Sequence, residues 1–309
     1  MQTRCGTAKS GDLDIYYEDM GDPDAPAVLL IMGLGAQLLL WRNGFCEKLV
    51  ARGRRVIRFD NRDVGLSTKL DGQRVEGSQY SSMVRSFLGR PSPAVYTLED
   101  MADDAAAVLD HLGLDRADVV GASMGGMIAQ VFAARHAART ASLGVIFSSN
   151  NKAALPPPAP RALFSVIRGP KPGSPREVII DNVVRVGRII GSPGYPASEA
   201  RVRTEAAEAY DRNYYPVGIA RHFGAILGSG SLRDYNRRTQ VPTVVIHGMS
   251  DKLMRPAGGR AIAEAIPGAR LVLFPGMGHE LPEQLWDQVV AELNVTFTQG
   301  ETASLGSAY

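Results

Sequence analysis

A serine at position 123 stands in Gly121-Ala122-Ser123-Met124-Gly125, directly after an apolar stretch and at the start of a helix-like run. Glycines two residues before and two after let a strand turn sharply into a helix without Cβ clashes. The serine then sits at the tip of a strained turn with its Oγ exposed. The helix N-terminus beneath it favours developing negative charge. These features suit the nucleophile of an acyl transfer. The pattern is weak by itself, since a chain with 20 serines and 33 glycines holds about 0.2 such matches by chance. Its setting and its partners carry the weight. A serine nucleophile needs a base, and the base needs an orienting acid. His279 lies in Pro275-Gly-Met-Gly-His-Glu and Asp251 in His247-Gly-Met-Ser-Asp, each just after an apolar run that reads as a strand. Open α/β sheets place their sites at such strand ends. The chain order Ser123, Asp251, His279 is the one this architecture requires.

Other candidates are weaker. His247 ends a strand four residues before Asp251 and reads as a buried structural histidine. His111, His136 and His222 fall in helical patterns, as solvated or packing residues. Asp60 ends a strand and could serve as a second acid, but Asn61, Arg62 and Asp63 beside it suggest a polar network bracing a loop. Acyl transfer also needs two backbone donors for the oxyanion. Met124, after the serine, should supply one. The loop Met32-Gly33-Leu34-Gly35-Ala36 should supply the other, at Leu34. The third glycine of a dinucleotide fingerprint would fall at Leu38 and is absent, so that reading of the loop fails.

The elements needed to position these groups are legible. Apolar runs at 28–32, 56–59, 118–121, 143–147, 243–246 and 270–274 read as strands buried on both faces. The alternating run at 13–18 reads as part of an antiparallel edge hairpin. Helical patterns occupy 98–112, with Thr97 as N-cap, and 125–138, 257–265 and 282–295. Strands alternating with helices imply an α/β fold, a mostly parallel central sheet flanked by helices. The alternation fails at 150–235, where prolines punctuate short helical patterns at 177–190, 198–210 and 217–227. This segment reads as a helical cap inserted between two parts of a core, 1–149 and 236–309. An irregular stretch at 67–96 should lie over the same edge, and the small, polar tail 298–309 should fray.

Composition bounds the rest. The 309 residues are 45% hydrophobic and 21% charged, with a net charge of +2, so no strong field gathers nucleic acid or anionic lipid. Cys5 and Cys46 make neither a disulfide framework nor a CxxC metal site, and five scattered histidines lack zinc spacing. No signal peptide or membrane span is evident. A soluble, cytoplasmic protein without metal or cofactor, acting on a small molecule, is expected. Its oligomeric state stays open.

Together, Leu30-Ile-Met-Gly-Leu-Gly, Phe59-Asp-Asn-Arg-Asp-Val-Gly-Leu-Ser-Thr, Gly121-Ala-Ser-Met-Gly-Gly, His247-Gly-Met-Ser-Asp and Gly278-His279 resemble the α/β-hydrolase fold family across roughly 10–300. Within it they are similar to bacterial serine esterases related to aclacinomycin methylesterase. The resemblance implies a Ser123–His279–Asp251 triad, oxyanion donors at Leu34 and Met124, and a carboxylic ester as substrate. Where many members carry His-Gly in the oxyanion loop, this chain has Met32-Gly33. A carbon–carbon bond hydrolase or lactonase with the same triad is the alternative, followed by a ligand receptor on the same fold. Enzymes that use an aspartate nucleophile are disfavoured by Ser123. Phe164, Tyr214 and Phe223 of the cap are expected to line an acyl pocket.

Overall fold

The computed structural model describes residues 3–74, 79–171 and 173–306. Eight strands form one sheet: β1 (Thr3–Ser10), β2 (Leu13–Met20), β3 (Ala27–Ile31), β4 (Arg55–Phe59), β5 (Ala117–Ala122), β6 (Thr140–Ile146), β7 (Thr243–Gly248) and β8 (Arg270–Phe274). Their order is β1-β2-β4-β3-β5-β6-β7-β8. The hairpin β1–β2 is antiparallel and joins β4 antiparallel, and every later pairing is parallel. All six apolar runs became strands. In β3, β4, β5 and β7 every residue is buried, which accounts for the lack of polar alternation, whereas β8 at the sheet edge is mostly half-buried.

The helices are α1 (Asn43–Val50), α2 (Gln79–Phe87), α3 (Leu98–His111), α4 (Met124–Arg135), α5 (Pro160–Ile167), α6 (Arg176–Ile190), α7 (Glu199–Arg212), α8 (Val217–Ser229), α9 (Arg233–Arg238), α10 (Pro256–Ala265) and α11 (Trp286–Gly306). Alternate strand residues feed two cores. Leu29, Ile31, Val119 and Val145 meet Met101 and Val108 of α3, Ile128 of α4 and Ile262 of α10. Val28, Leu30, Val120 and Ile246 meet Phe45 and Leu49 of α1 and Val289 and Leu293 of α11. Thr97 caps α3 as expected, in a reciprocal box: the Thr97 amide donates to the Asp100 carboxylate (2.7 Å) while Thr97 Oγ1 accepts from the Asp100 amide.

Helices α5 to α9 lie between β6 and β7. Helix α8 contributes Ala225 and Ile226 to the first core, and α9 packs against α4 and α10. The boundary expected at 235 thus falls inside α9. The stretch 67–96 contains α2, and its residues 75–78 lie outside the described residues.

The tail departs from the expectation of fraying. Helix α11 continues to Gly306, while 307–309 lie outside the described residues. Small residues mark close packing here: a Cβ on Gly144 would fall 2.6 Å from Leu293, and one on Gly300 would fall 2.6 Å from the Ala141 carbonyl. Arg54, itself buried, also pairs with Glu301 at 2.5 Å. Composition hid a docked face. Gly300→Val should therefore lower unfolding stability by about 1–3 kcal/mol, the usual effect of overpacking, in urea denaturation. A change within about 0.5 kcal/mol, as at an unpacked surface position, would mean that the tail is not docked.

Candidate active site

β5 turns into α4 through one residue. Ser123 has φ 56° and ψ −121°, a conformation that side chains rarely adopt. The two glycines make it possible: a Cβ on Gly121 would lie 2.1 Å from the Gly125 carbonyl oxygen, and one on Gly125 would lie 2.1 Å from the Ile31 carbonyl oxygen. The Ser123 amide donates to the Ile146 carbonyl (3.0 Å), and Ser148 Oγ donates to the Ser123 carbonyl (2.6 Å). The turn is clamped at both of its polar backbone groups.

The structure brings Ser123, His279 and Asp251 together across 156 residues of sequence. His279 Nε2 lies 2.9 Å from Ser123 Oγ, and His279 Nδ1 lies 2.8 Å from Asp251 Oδ2. Asp251 Oδ1 accepts from the Leu253 and Met254 amides, both at 2.8 Å, which fixes the carboxylate plane. Since the carboxylate accepts, Nδ1 carries the proton and the Nε2 lone pair faces the Ser123 hydroxyl. The histidine loop is held by the insert: the His279 amide donates to the Ile190 carbonyl (2.8 Å), the Gly278 amide to Ser192 Oγ (2.9 Å) and the Ser192 amide to Glu280 Oε1 (2.6 Å). The Phe147 ring lies 4.9 Å from the imidazole, centroid to centroid, on a residue at φ 37°.

The loop after β3 lies beside the serine, for a Cβ on Gly33 would come within 3.0 Å of Ser123 Cβ. Leu34 follows at once in this loop, and Met124 opens α4. Asn61 Nδ2 donates to the Met32 carbonyl (2.8 Å) and holds the loop from below. Gln37 Nε2 reaches the insert, donating to the Ala209 (2.6 Å) and Asn213 (2.7 Å) carbonyls. Asp60 is fully buried, accepts from the Leu38 and Leu66 amides, and pairs with Arg212 at 2.7 Å. Burial pushes its carboxyl above the usual range despite that arginine. It braces loops, as its neighbours suggested. Asp63 is paired with Arg221 (2.7 and 2.8 Å) and accepts from Tyr96 Oη (2.7 Å).

The three expected pocket aromatics are dispersed. Phe164 is 48% exposed in a cleft of about 380 Å³ between α5 and α6, under Arg168. Tyr214 is 40% exposed and stacks on Tyr210. Phe223 is half-buried against the first core. Phe147, which does meet the imidazole, was hidden in sequence as the end of a strand run. His247 is fully buried, with Nε2 2.7 Å from the Met254 carbonyl and 3.6 Å from Asp251. Among the described residues, no cluster of His, Cys, Asp or Glu could hold a metal, and no helix is long and apolar enough to cross a membrane.

A hydroxyl on a sharp strand-to-helix turn, backed in line by an imidazole and a carboxylate at the strand ends, defines a class of architecture. The chain belongs to the α/β hydrolase fold family, whose pattern matches residues 26–284. It is 30% identical to rhodomycin D methylesterase DnrP of Streptomyces peucetius over 312 residues, covering 95% of this chain and 97% of that protein. It is 26% identical to the bifunctional esterase/perhydrolase DCH of Acinetobacter calcoaceticus, over 89% and 92% of the two chains. Among solved structures, the enol-lactonase of Burkholderia xenovorans superposes with a TM-score of 0.69 at 24% identity, over 95% of this chain and all of that one.

Two measurements probe this geometry. Backbone strain at a left-handed residue amounts to about 1–3 kcal/mol and is relieved by glycine. Ser123→Gly should therefore unfold at no lower urea concentration than Ser123→Ala, although glycine ordinarily loses to alanine by about 1 kcal/mol at a helix. The usual order would contradict the strain. Burial holds the imidazoles of His247 and His222 below their ordinary pKa. Each is neutral when folded and takes a proton near pH 6.5 when unfolded, so its stability contribution is present above about 6.5 and is withdrawn as pH falls. His247→Gln can keep a donor at Met254, and should lose less stability than wild type between pH 7 and pH 5. Equal losses would mean that His247 is not held neutral.

Proposed function

We propose that the chain is a serine esterase for carboxylic esters of small or medium-sized molecules. The observation that carries this reading is the hydrogen-bonded line from Asp251 through His279 to Ser123, with 2.8 and 2.9 Å steps. In this mechanism His279 Nε2 takes the Ser123 proton as Oγ attacks the ester carbonyl. Asp251 keeps the Nδ1 tautomer and stabilises the imidazolium that forms. The Leu34 and Met124 amides donate to the oxyanion of the tetrahedral intermediate. The intermediate collapses, His279 returns the proton to the departing alkoxide, and the alcohol leaves. Water, deprotonated by His279, then cleaves the acyl-enzyme and regenerates Ser123.

In this reading the segment 150–235 covers the strand ends and walls the acyl group; its hydrogen bonds to the His279 loop from Ile190 and Ser192 support that placement. The name of the methylesterase relative supports methyl esters as the first class to assay, beside chromogenic short-chain esters. Leu34 follows Gly33, where a Cβ would come within 3.0 Å of Ser123 Cβ, and this nearness supports its assignment as a donor.

Kinetics on an ester panel test the reading. Ser123→Ala should fold normally and lose several orders of magnitude in kcat, since covalent catalysis has no substitute here. Asp251→Asn should lose about 10³–10⁴ in kcat through the wrong histidine tautomer, with KM little changed. Asp60→Asn should fall far less, as a loop brace. If Asp60→Asn is the more damaging of the two with folding intact, the acid is misassigned. Turnover of vinylogous diketones but of no ester would move the reaction to carbon–carbon bond hydrolysis.

A further inference from the structure

We propose that His222, on α8 of the insert, is a positioning residue for ester cleavage: it locks the turn that carries the Leu34 amide. The proposal rests on the esterase reading above and assigns a new part of its machinery. Residues 33–36 form a four-residue turn closed by the Ala36 amide, which donates to the Gly33 carbonyl at 3.3 Å. Gly35 has φ +62°, whereas Leu34 is not among the residues of positive φ. Positive φ confined to the third position is the signature of a type II turn. A type I and a type II turn differ mainly in the orientation of their middle peptide, here the one joining Leu34 to Gly35. That peptide is what His222 holds.

The Gly35 amide donates to His222 Nδ1 at 3.0 Å. Because Nδ1 accepts, the neutral ring must carry its proton on Nε2, which donates to the Arg62 carbonyl at 2.7 Å. The ring is fully buried and has both nitrogens engaged. One turn earlier on α8, Ile219 presses on the same glycine, where a Cβ would fall 2.6 Å from its Cγ1. Arg62 is anchored in turn by Asp104 at 2.6 and 2.8 Å. Next to His222, Arg221 is clasped by Asp63. The loop is therefore tied through one imidazole to a rigid polar layer. Gly33, two residues before Gly35, lies so near Ser123 that a Cβ on it would fall 3.0 Å from Ser123 Cβ, so a displaced turn moves a proposed oxyanion donor beside the serine.

Three variants separate positioning from mere packing. His222→Asn can keep an acceptor near the Nδ1 position. His222→Gln places its amide near the Nε2 position and can keep the Arg62 bond while losing the one to Gly35. His222→Ala loses both. We expect Ala and Gln to lower kcat roughly 10- to 100-fold, less than the 10²–10³ that follows outright deletion of an oxyanion donor, with KM within about twofold. A boronic acid transition-state analogue should weaken by the same factor. Asn should recover most of both. Melting temperatures and complete labelling by an activated acyl phosphonate are read on every variant. If Asn and Gln have equal kcat, or the losses follow melting temperature alone, while all variants label fully, the role of His222 is overturned and the esterase reading stands. A wild type that takes no phosphonate overturns both.

Discussion

The geometry of the site depends on a backbone constraint at the end of β5. The strand becomes a helix within one residue, and Gly121 and Gly125 allow carbonyl groups to approach where any Cβ would collide. Ser123 is left in a conformation that an ordinary strand or helix would not tolerate, held by the Ile146 carbonyl and Ser148. Such strain, of about 1–3 kcal/mol, persists because the buried cores on both sheet faces determine where β5 and α4 must lie. The hydroxyl is thereby fixed in space. Every other group in the site is placed with respect to it.

The sheet and the insert divide that work. Strand ends carry Ser123, Asp251 and His279, and the segment between β6 and β7 carries much of what restrains their loops. Ile190 and Ser192 hold the backbone around His279, Ala209 and Asn213 hold Gln37, and Arg212 and Arg221 neutralise Asp60 and Asp63. The segments near 190–192 and 209–222 are therefore bonded to the site's own loops. Lifting them would disturb the loops around Ser123 and His279.

The sheet was legible because burial on both faces writes continuous apolar runs in its central strands, and each run, the half-buried edge strand β8 included, became a strand. That Ser123, Asp251 and His279 would meet was legible because each follows such a run, in a fixed order. Asp60 was legible as a brace from its polar neighbours. What escaped were bonds between distant segments. His222 reads as one polar residue on a helix, yet its partner Gly35 lies 187 residues away. Phe147 was absorbed into a strand pattern, although its ring lies against His279. The aromatics Phe164, Tyr214 and Phe223 were chosen by residue type, and the structure gives each a different neighbourhood: the cleft between α5 and α6, the Tyr210 ring and the first core. The tail misled for a related reason: Gly300 packs through what it lacks, and composition records only what a residue carries.

The account stands on one chemical event, acylation of Ser123. Mass spectrometry of the intact protein after reaction with an activated acyl phosphonate, followed by peptide mapping, observes that site without assuming a natural substrate. The account predicts one equivalent of added mass, mapped to Ser123, and no addition to Ser123→Ala. Addition at another residue, or an unmodified wild type, would contradict it.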